Sequence, residues 1–157
     1  MLKRTNDKKI FKFILNNLRD EDLRELKDIR GKNWFKSALK NLEGTEVIVM
    51  FAPNEQNNMI PIAMGGFEPY FENGNKLAIV WLLSTKFIKY HKFLFWKELK
   101  TYFNQEKSKY SILFNFIYKS NFQAKSWLKL LGFSFDNPKP QGIDIPENFE
   151  FFYKVIN

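Results

Sequence analysis

The sequence predicts one α/β domain over residues 1–157, built on a mixed, mostly antiparallel sheet of about six to seven strands with about four helices. Three observations carry this reading. Short apolar, β-branched runs alternate with segments whose apolar residues recur every three to four positions, the signature of strands interleaved with amphipathic helices. An Asn73-Gly74 pair sits between two such runs, and Asn-Gly favours a tight hairpin because both residues tolerate positive φ. Finally, a helical segment separates the fourth and fifth strand runs, so that pair requires a crossover and can lie parallel inside an otherwise antiparallel sheet.

In chain order, Ile10 to Leu15 reads as a first strand, and Asp20 as the cap of a helix carrying Leu23, Leu26 and Ile29. Gly31 ends that helix. A second follows with Phe35, Ala38, Leu39 and Leu42 on one face, closed by Gly44. Thr45–Phe51 is apolar from Val47 onward, as a strand buried on both faces requires. Ile60–Phe67 and Leu77–Leu83 flank the Asn-Gly turn. From about Ile88 to Gln105 the period is helical, with Phe93, Trp96, Leu99 and Phe103 on the repeat. Tyr110–Tyr118 is the fifth strand and Asn121–Leu131 the fourth helix, capped by Gly132; Phe133–Phe135 and Phe151–Val155 complete the sheet, joined by a loop holding Pro138, Pro140 and Pro146.

An apolar content of 45% over 157 residues supports a single core, and eighteen Phe, six Tyr and four Trp make that core largely one of ring packing. The formal charge of +8 is compatible with an acidic partner. Only four of the 25 basic residues are Arg, however, the side chain favoured for bidentate phosphate and base contacts, so nucleic-acid binding is the weaker partner expectation. The absence of cysteine excludes disulfides, thiolate metal sites and cysteine nucleophiles. One His and no acidic cluster argue against a protein-built metal site. No apolar run approaches the ~20 residues that span a bilayer, and the basic start lacks the apolar core of a signal peptide, so the expected location is the cytoplasm of the producing cell, or a particle packaged from it.

The element order, together with Asn121-x-x-Ala124-x-x-Trp127-Leu128-x-x-Leu131-Gly132-Phe133, resembles the GNAT superfamily of acyl-CoA N-acyltransferases. The resemblance implies a GNAT-like fold in which acetyl-CoA or CoA lies along a splayed strand edge, with its pyrophosphate on the start of the next helix. Carried onto this chain, it makes Leu82, Leu83, Ser84, Thr85, Lys86, Lys89 and Asn121 the candidate cofactor-binding residues. Two positions depart from the pattern. The glycine-bearing loop of the superfamily falls on Lys86-Phe87-Ile88-Lys89-Tyr90-His91, where both small positions are large. Leu128 stands where many members place a proton-donating Tyr, and Leu donates none.

Other residues have a plainer alternative. Lys86, Lys89 and Lys92 are either ammonium substitutes for the glycine contacts or a solvated helix start. Asn121 is equally suited to capping its helix, Trp81 reads as core, and the rings from Tyr90 to Phe103 are either buried or an interaction face. Glu68, Glu72 and His91 are the nearest candidates for a general base, although isolated groups of this kind are usually solvated; the catalytic set is therefore unknown.

A second likeness runs through Leu18-Arg19-Asp20-x-Asp22, Ile62-Ala63-x-Gly65-Gly66, Val80-Trp81-Leu82-Leu83-Ser84-Thr85, Phe114-Asn115-x-x-Tyr118 and Phe149-x-Phe151-Phe152. In order and spacing it resembles a GNAT-like family of short-tailed phage proteins that includes internal virion protein A. This implies a phage protein of virion assembly, without standard acetyltransferase catalysis and with virion structural proteins as partners. An acyl-CoA-dependent N-acetyltransferase with a divergent cofactor loop is the alternative.

Overall fold

The computed structural model of the chain describes residues 1–135 and 144–157; Pro138 and Pro140 of the expected loop lie outside them. Among the described residues there are six strands: β1 (Leu2–Thr5), β2 (Val47–Pro53), β3 (Met59–Glu72), β4 (Asn75–Ser84), β5 (Ile112–Tyr118) and β6 (Phe149–Val155). Five α-helices accompany them: α1 (Lys8–Asn16), α2 (Asp20–Arg30), α3 (Trp34–Leu42), α4 (Lys92–Glu106) and α5 (Phe122–Leu130). The strands are hydrogen-bonded in the order β1-β2-β3-β4-β5-β6. β1 with β2, β2 with β3 and β5 with β6 are antiparallel, and β4 with β5 is parallel. This is the mixed, mostly antiparallel α/β sheet expected from the sequence. Asn73 and Gly74 make the β3–β4 turn, with φ of 48° and 77°.

The first strand needs correction. Lys8–Asn16, the region read as a strand, is helix α1, and the strand precedes it at Leu2–Thr5. The apolar run Ile10, Phe11, Ile14 and Leu15 fits helical spacing as well as a short strand, and Asp7 decides the matter by accepting from the Lys9 N–H at 2.8 Å as an N-cap. Phe11, Ile14 and Leu15 are buried in consequence. The cap expected at Asp20 is also absent: Asp20 is the first residue of α2, Arg19 holds the cap position, and the helix turns Asp22 and Leu26 inward while Ile29 is 62% exposed. Phe133–Phe135 contributes a single bridge, Ser134 to Tyr153, in place of a strand.

By packing, the chain forms two compact units, Met1–Gly66 with Leu82–Thr101 and Phe67–Trp81 with Tyr102–Asn157. The first unit contains α1 to α3, the β1–β2 pair and the beginning of α4, around Phe11, Ile14, Val49, Ile62 and Phe95. The second is centred on Ala78, Phe103, Tyr110, Leu113, Phe133 and Phe152. Its rings interlock, Phe133 meeting Phe152 edge-on at 5.3 Å and Phe67 stacking on Tyr110 at 5.7 Å.

Candidate functional site

Seven consecutive residues of the first unit, 85–91, join β4, which ends at Ser84, to the start of α4. Ser84 and Thr85 are 1% and 0% exposed, although both are polar. Burial of this kind is tolerated only when every polar atom finds a partner. Ser84 donates both its N–H and its hydroxyl to Asp22 Oδ2, each at 2.8 Å. Thr85 donates its N–H at 2.8 Å and its hydroxyl at 3.0 Å to the Ile62 carbonyl. Asp22 is itself 3% exposed and is neutralised by Arg19, whose Nη2 reaches Oδ1 at 2.8 Å and whose Nε reaches Oδ2 at 3.3 Å. Leu82 and Leu83 precede this knot on β4 as half-buried residues, and Trp81, expected as core, is half-buried too.

The next residues, Lys86–Tyr90, form a tight 3₁₀ turn. The Lys86 N–H donates to Asn17 O at 2.8 Å, the Ile88 N–H to Thr85 O at 3.1 Å and the His91 N–H to Ile88 O at 3.0 Å. A glycine-rich loop would offer such N–H groups to a phosphate; here one ties the turn to the end of α1 and the other two close the turn. Ile88 anchors the turn at 2% exposure, while Lys86, Lys89 and Lys92 project into solvent. The first hydrogen bond of α4 runs from the Phe95 N–H to His91 O at 2.8 Å. The N–H groups of Lys92, Phe93 and Leu94 therefore lie in the first turn, where a helix supplies no internal acceptor. That turn holds no acidic residue, so the positive end of the helix dipole meets no carboxylate within it. Tyr90 and Phe93 are 70% and 83% exposed beside them, whereas Phe95 and Phe103 are buried, which divides the expected aromatic face.

Asn121, the remaining candidate, belongs to the second unit and is 2% exposed. Its side chain caps α5, accepting from the Ala124 N–H at 3.4 Å. Leu128 packs against the aromatic core of this unit. His91 is half-buried, and Glu68 and Glu72 are exposed along the distal part of β3.

Asn115, named in the sequence only as part of the second likeness, has a structural role that the likeness did not indicate. The parallel β4–β5 ladder contains three residue pairs, Leu77–Ile112, Ala78–Leu113 and Ile79–Phe114, and then stops although both strands continue. At the next position the Asn115 side chain donates to Val80 O at 2.8 Å and accepts from the Phe116 N–H at 2.7 Å. A side-chain amide thus takes the place of backbone pairing where the ladder ends. The signal was one polar residue inside Ile112–Tyr118, an otherwise hydrophobic strand. Asp22 was likewise named only within that likeness, and its burial was missed because an acid in the first turn of a helix ordinarily faces water.

No family model and no curated protein matches the sequence. Solved structures do match, over nearly the whole chain. An N-acetyltransferase from Staphylococcus aureus Mu50 is 16% identical, with a TM-score of 0.60 over 99% of this chain and 97% of that one. An aminoglycoside N(6')acetyltransferase from Legionella pneumophila is 14% identical, with a TM-score of 0.63 over 99% and 91%. A chimera of the Vibrio cholerae and human spermidine N-acetyltransferases is 13% identical, with a TM-score of 0.58 over 99% and 96%. These neighbours overturn the expectation of a non-catalytic phage virion protein and favour the acetyltransferase alternative. At these identities the likeness establishes architecture, and the chain has the GNAT fold of N-acetyltransferases.

Proposed function

We propose that this protein is an acyl-CoA-dependent N-acyltransferase. The observation that carries the reading is the start of α4, where the exposed Lys86 and Lys89 of the preceding turn and Lys92 of the helix flank in sequence a first turn that holds no acid. This donor set fits the phosphates of CoA. Ammonium groups hold phosphate as point charges, and helix N–H groups add directed hydrogen bonds. Lys86, Lys89 and Lys92 would hold the phosphates, and β4 around Leu82 and Leu83 would supply backbone contacts to the pantetheine arm. When bound, acetyl-CoA supplies an acyl group activated as a thioester for transfer to an amine.

The chain's own contribution is positioning. Leu128 has no proton to give, and its place against the aromatic core leaves it a packing role. Rate enhancement then rests on holding amine and thioester in register, a source worth ~7–11 kcal/mol in well-oriented systems. Because spermidine and aminoglycoside acetyltransferases share the fold, the first acceptors to try are polyamines, aminoglycosides and peptide amines.

Isothermal calorimetry with CoA and acetyl-CoA, followed by mass spectrometry of the acceptor panel after incubation with labelled acetyl-CoA, tests the proposal. Micromolar binding and a labelled product are expected. Absence of binding at millimolar CoA together with absence of transfer would overturn it.

A further inference from the structure

The 3₁₀ turn lacks glycine, and four of its five side chains are half-buried or exposed, so its position has to be imposed from outside. Asp22 is where that constraint converges. Its carboxylate collects two hydrogen bonds from Arg19 and two from Ser84, across 62 residues of chain. The backbone repeats the connection: the Arg19 N–H donates to Ser84 O at 3.0 Å, Leu18 bridges Thr85, and the Lys86 N–H donates to Asn17 O. The α1–α2 junction therefore grips both sides of the residues that enter the turn.

We propose that Arg19, Asp22 and Ser84 form a buried latch that presets Thr85–Lys92 to receive an anionic ligand. The latch fixes the course of the turn from outside, in a segment that has no glycine, and the three residues are positioning residues that need not touch the ligand. A buried ion pair is a poor device for stability, because desolvation of both charges offsets most of their attraction. Its hydrogen-bond geometry does fix one arrangement, and pre-organisation of a binding segment lowers the ordering cost of association. This inference rests on the CoA-binding reading, but its first test does not.

Hydrogen exchange of the ligand-free protein should compare wild type with Ser84→Ala and Asp22→Asn. Ser84→Ala removes one hydroxyl donor and keeps the backbone, so the protein should fold. Exchange of the Thr85, Lys86 and Ile88 N–H groups is expected to accelerate about tenfold or more, one lost hydrogen bond to a charged group being equivalent to about a decade. Calorimetry with CoA should show a parallel loss of about tenfold, appearing in turnover as a raised KM for acetyl-CoA with kcat and the acceptor KM unchanged. Leu42→Ala, a buried change on α3 away from the latch, serves as a control that lowers Tm and leaves CoA affinity unchanged. Exchange and affinity within twofold of wild type in both latch variants, or equal affinity loss in Leu42→Ala, would overturn the latch. Should wild type bind no CoA, the acyltransferase reading fails, and the exchange result alone decides the latch.

Discussion

The two units of this chain bury different kinds of matter. Within the first, Arg19, Asp22, Ser84 and Thr85 are all buried, tied to one another or to backbone carbonyls. Within the second, the interior is a mesh of Phe103, Tyr110, Phe133 and Phe152, and Asn121 is its buried polar residue among the described ones. Ring packing supplies stability with little constraint on which backbone groups are presented, whereas a buried ion pair contributes little net energy and its hydrogen-bonded network dictates geometry closely. The polar network lies beside the segment proposed to bind the ligand, where geometry matters most.

The largest effect expected from breaking this contrast is in the aromatic unit. Phe133 meets Phe103 at 5.6 Å and Phe152 at 5.3 Å and is 5% exposed. Phe133→Ala should cost about 3–5 kcal/mol, from lost transfer energy and the cavity left behind. Chemical denaturation measures the loss, and a cost below that of an exposed Phe such as Phe93 would mean that the rings are not the support of this unit.

Asn115→Ala comes next, because Asn115 is the second unit's nearest counterpart to the latch. Its amide satisfies Val80 O and the Phe116 N–H where the β4–β5 ladder ends. Removal should cost about 1–2 kcal/mol. Asn115→Asp should cost more than Asn115→Ala, since a carboxylate still accepts from Phe116 but meets the Val80 carbonyl with like charge. Equal stability of the two variants by thermal unfolding would show that the amide donor is not what terminates the ladder.

Legibility in the sequence follows from the range of the forces involved. The β3–β4 hairpin was readable because Asn73-Gly74 is a local conformational preference, and the parallel β4–β5 pair because a helical crossover leaves few alternatives. The first helix was not, since Ile10–Leu15 alone is too short for its period to separate helix from strand, and the deciding Asp7 cap lies outside the run. Ser84, Thr85, Lys86 and Asn121 were picked out by position in a resembling pattern, but their actual partners come from 62 residues away in the case of Ser84 and from the adjacent helix in the case of Asn121. No pattern marks Asp22 as buried, because its burial depends on Arg19 and Ser84 arriving together. The virion-protein likeness failed because scattered identities such as Leu18 or Phe152 are what any core of this shape selects.

The smallest effect concerns the surface, where the first unit carries an ion pair that the latch comparison predicts to be nearly idle. Lys8 at the start of α1 donates to Glu43 just beyond α3, with both side chains more than half exposed. The Lys8 hydrogen bond and charge hold the Glu43 carboxyl below its ordinary 4.5. A carboxylate whose pKa is lowered by folding stabilises the native state above its unfolded value, and that contribution fades as pH falls below about 4.5 and through the folded value. Exposure and salt screening keep it slight. NMR titration should place the Glu43 midpoint below 4.5 in wild type and return it toward 4.5 in Lys8→Met, with exchange at Thr85 and Lys86 unaffected. A midpoint that does not move would show the pair to be unformed in solution, while altered exchange at the turn would mean that the geometry credited to the buried latch depends on the surface as well.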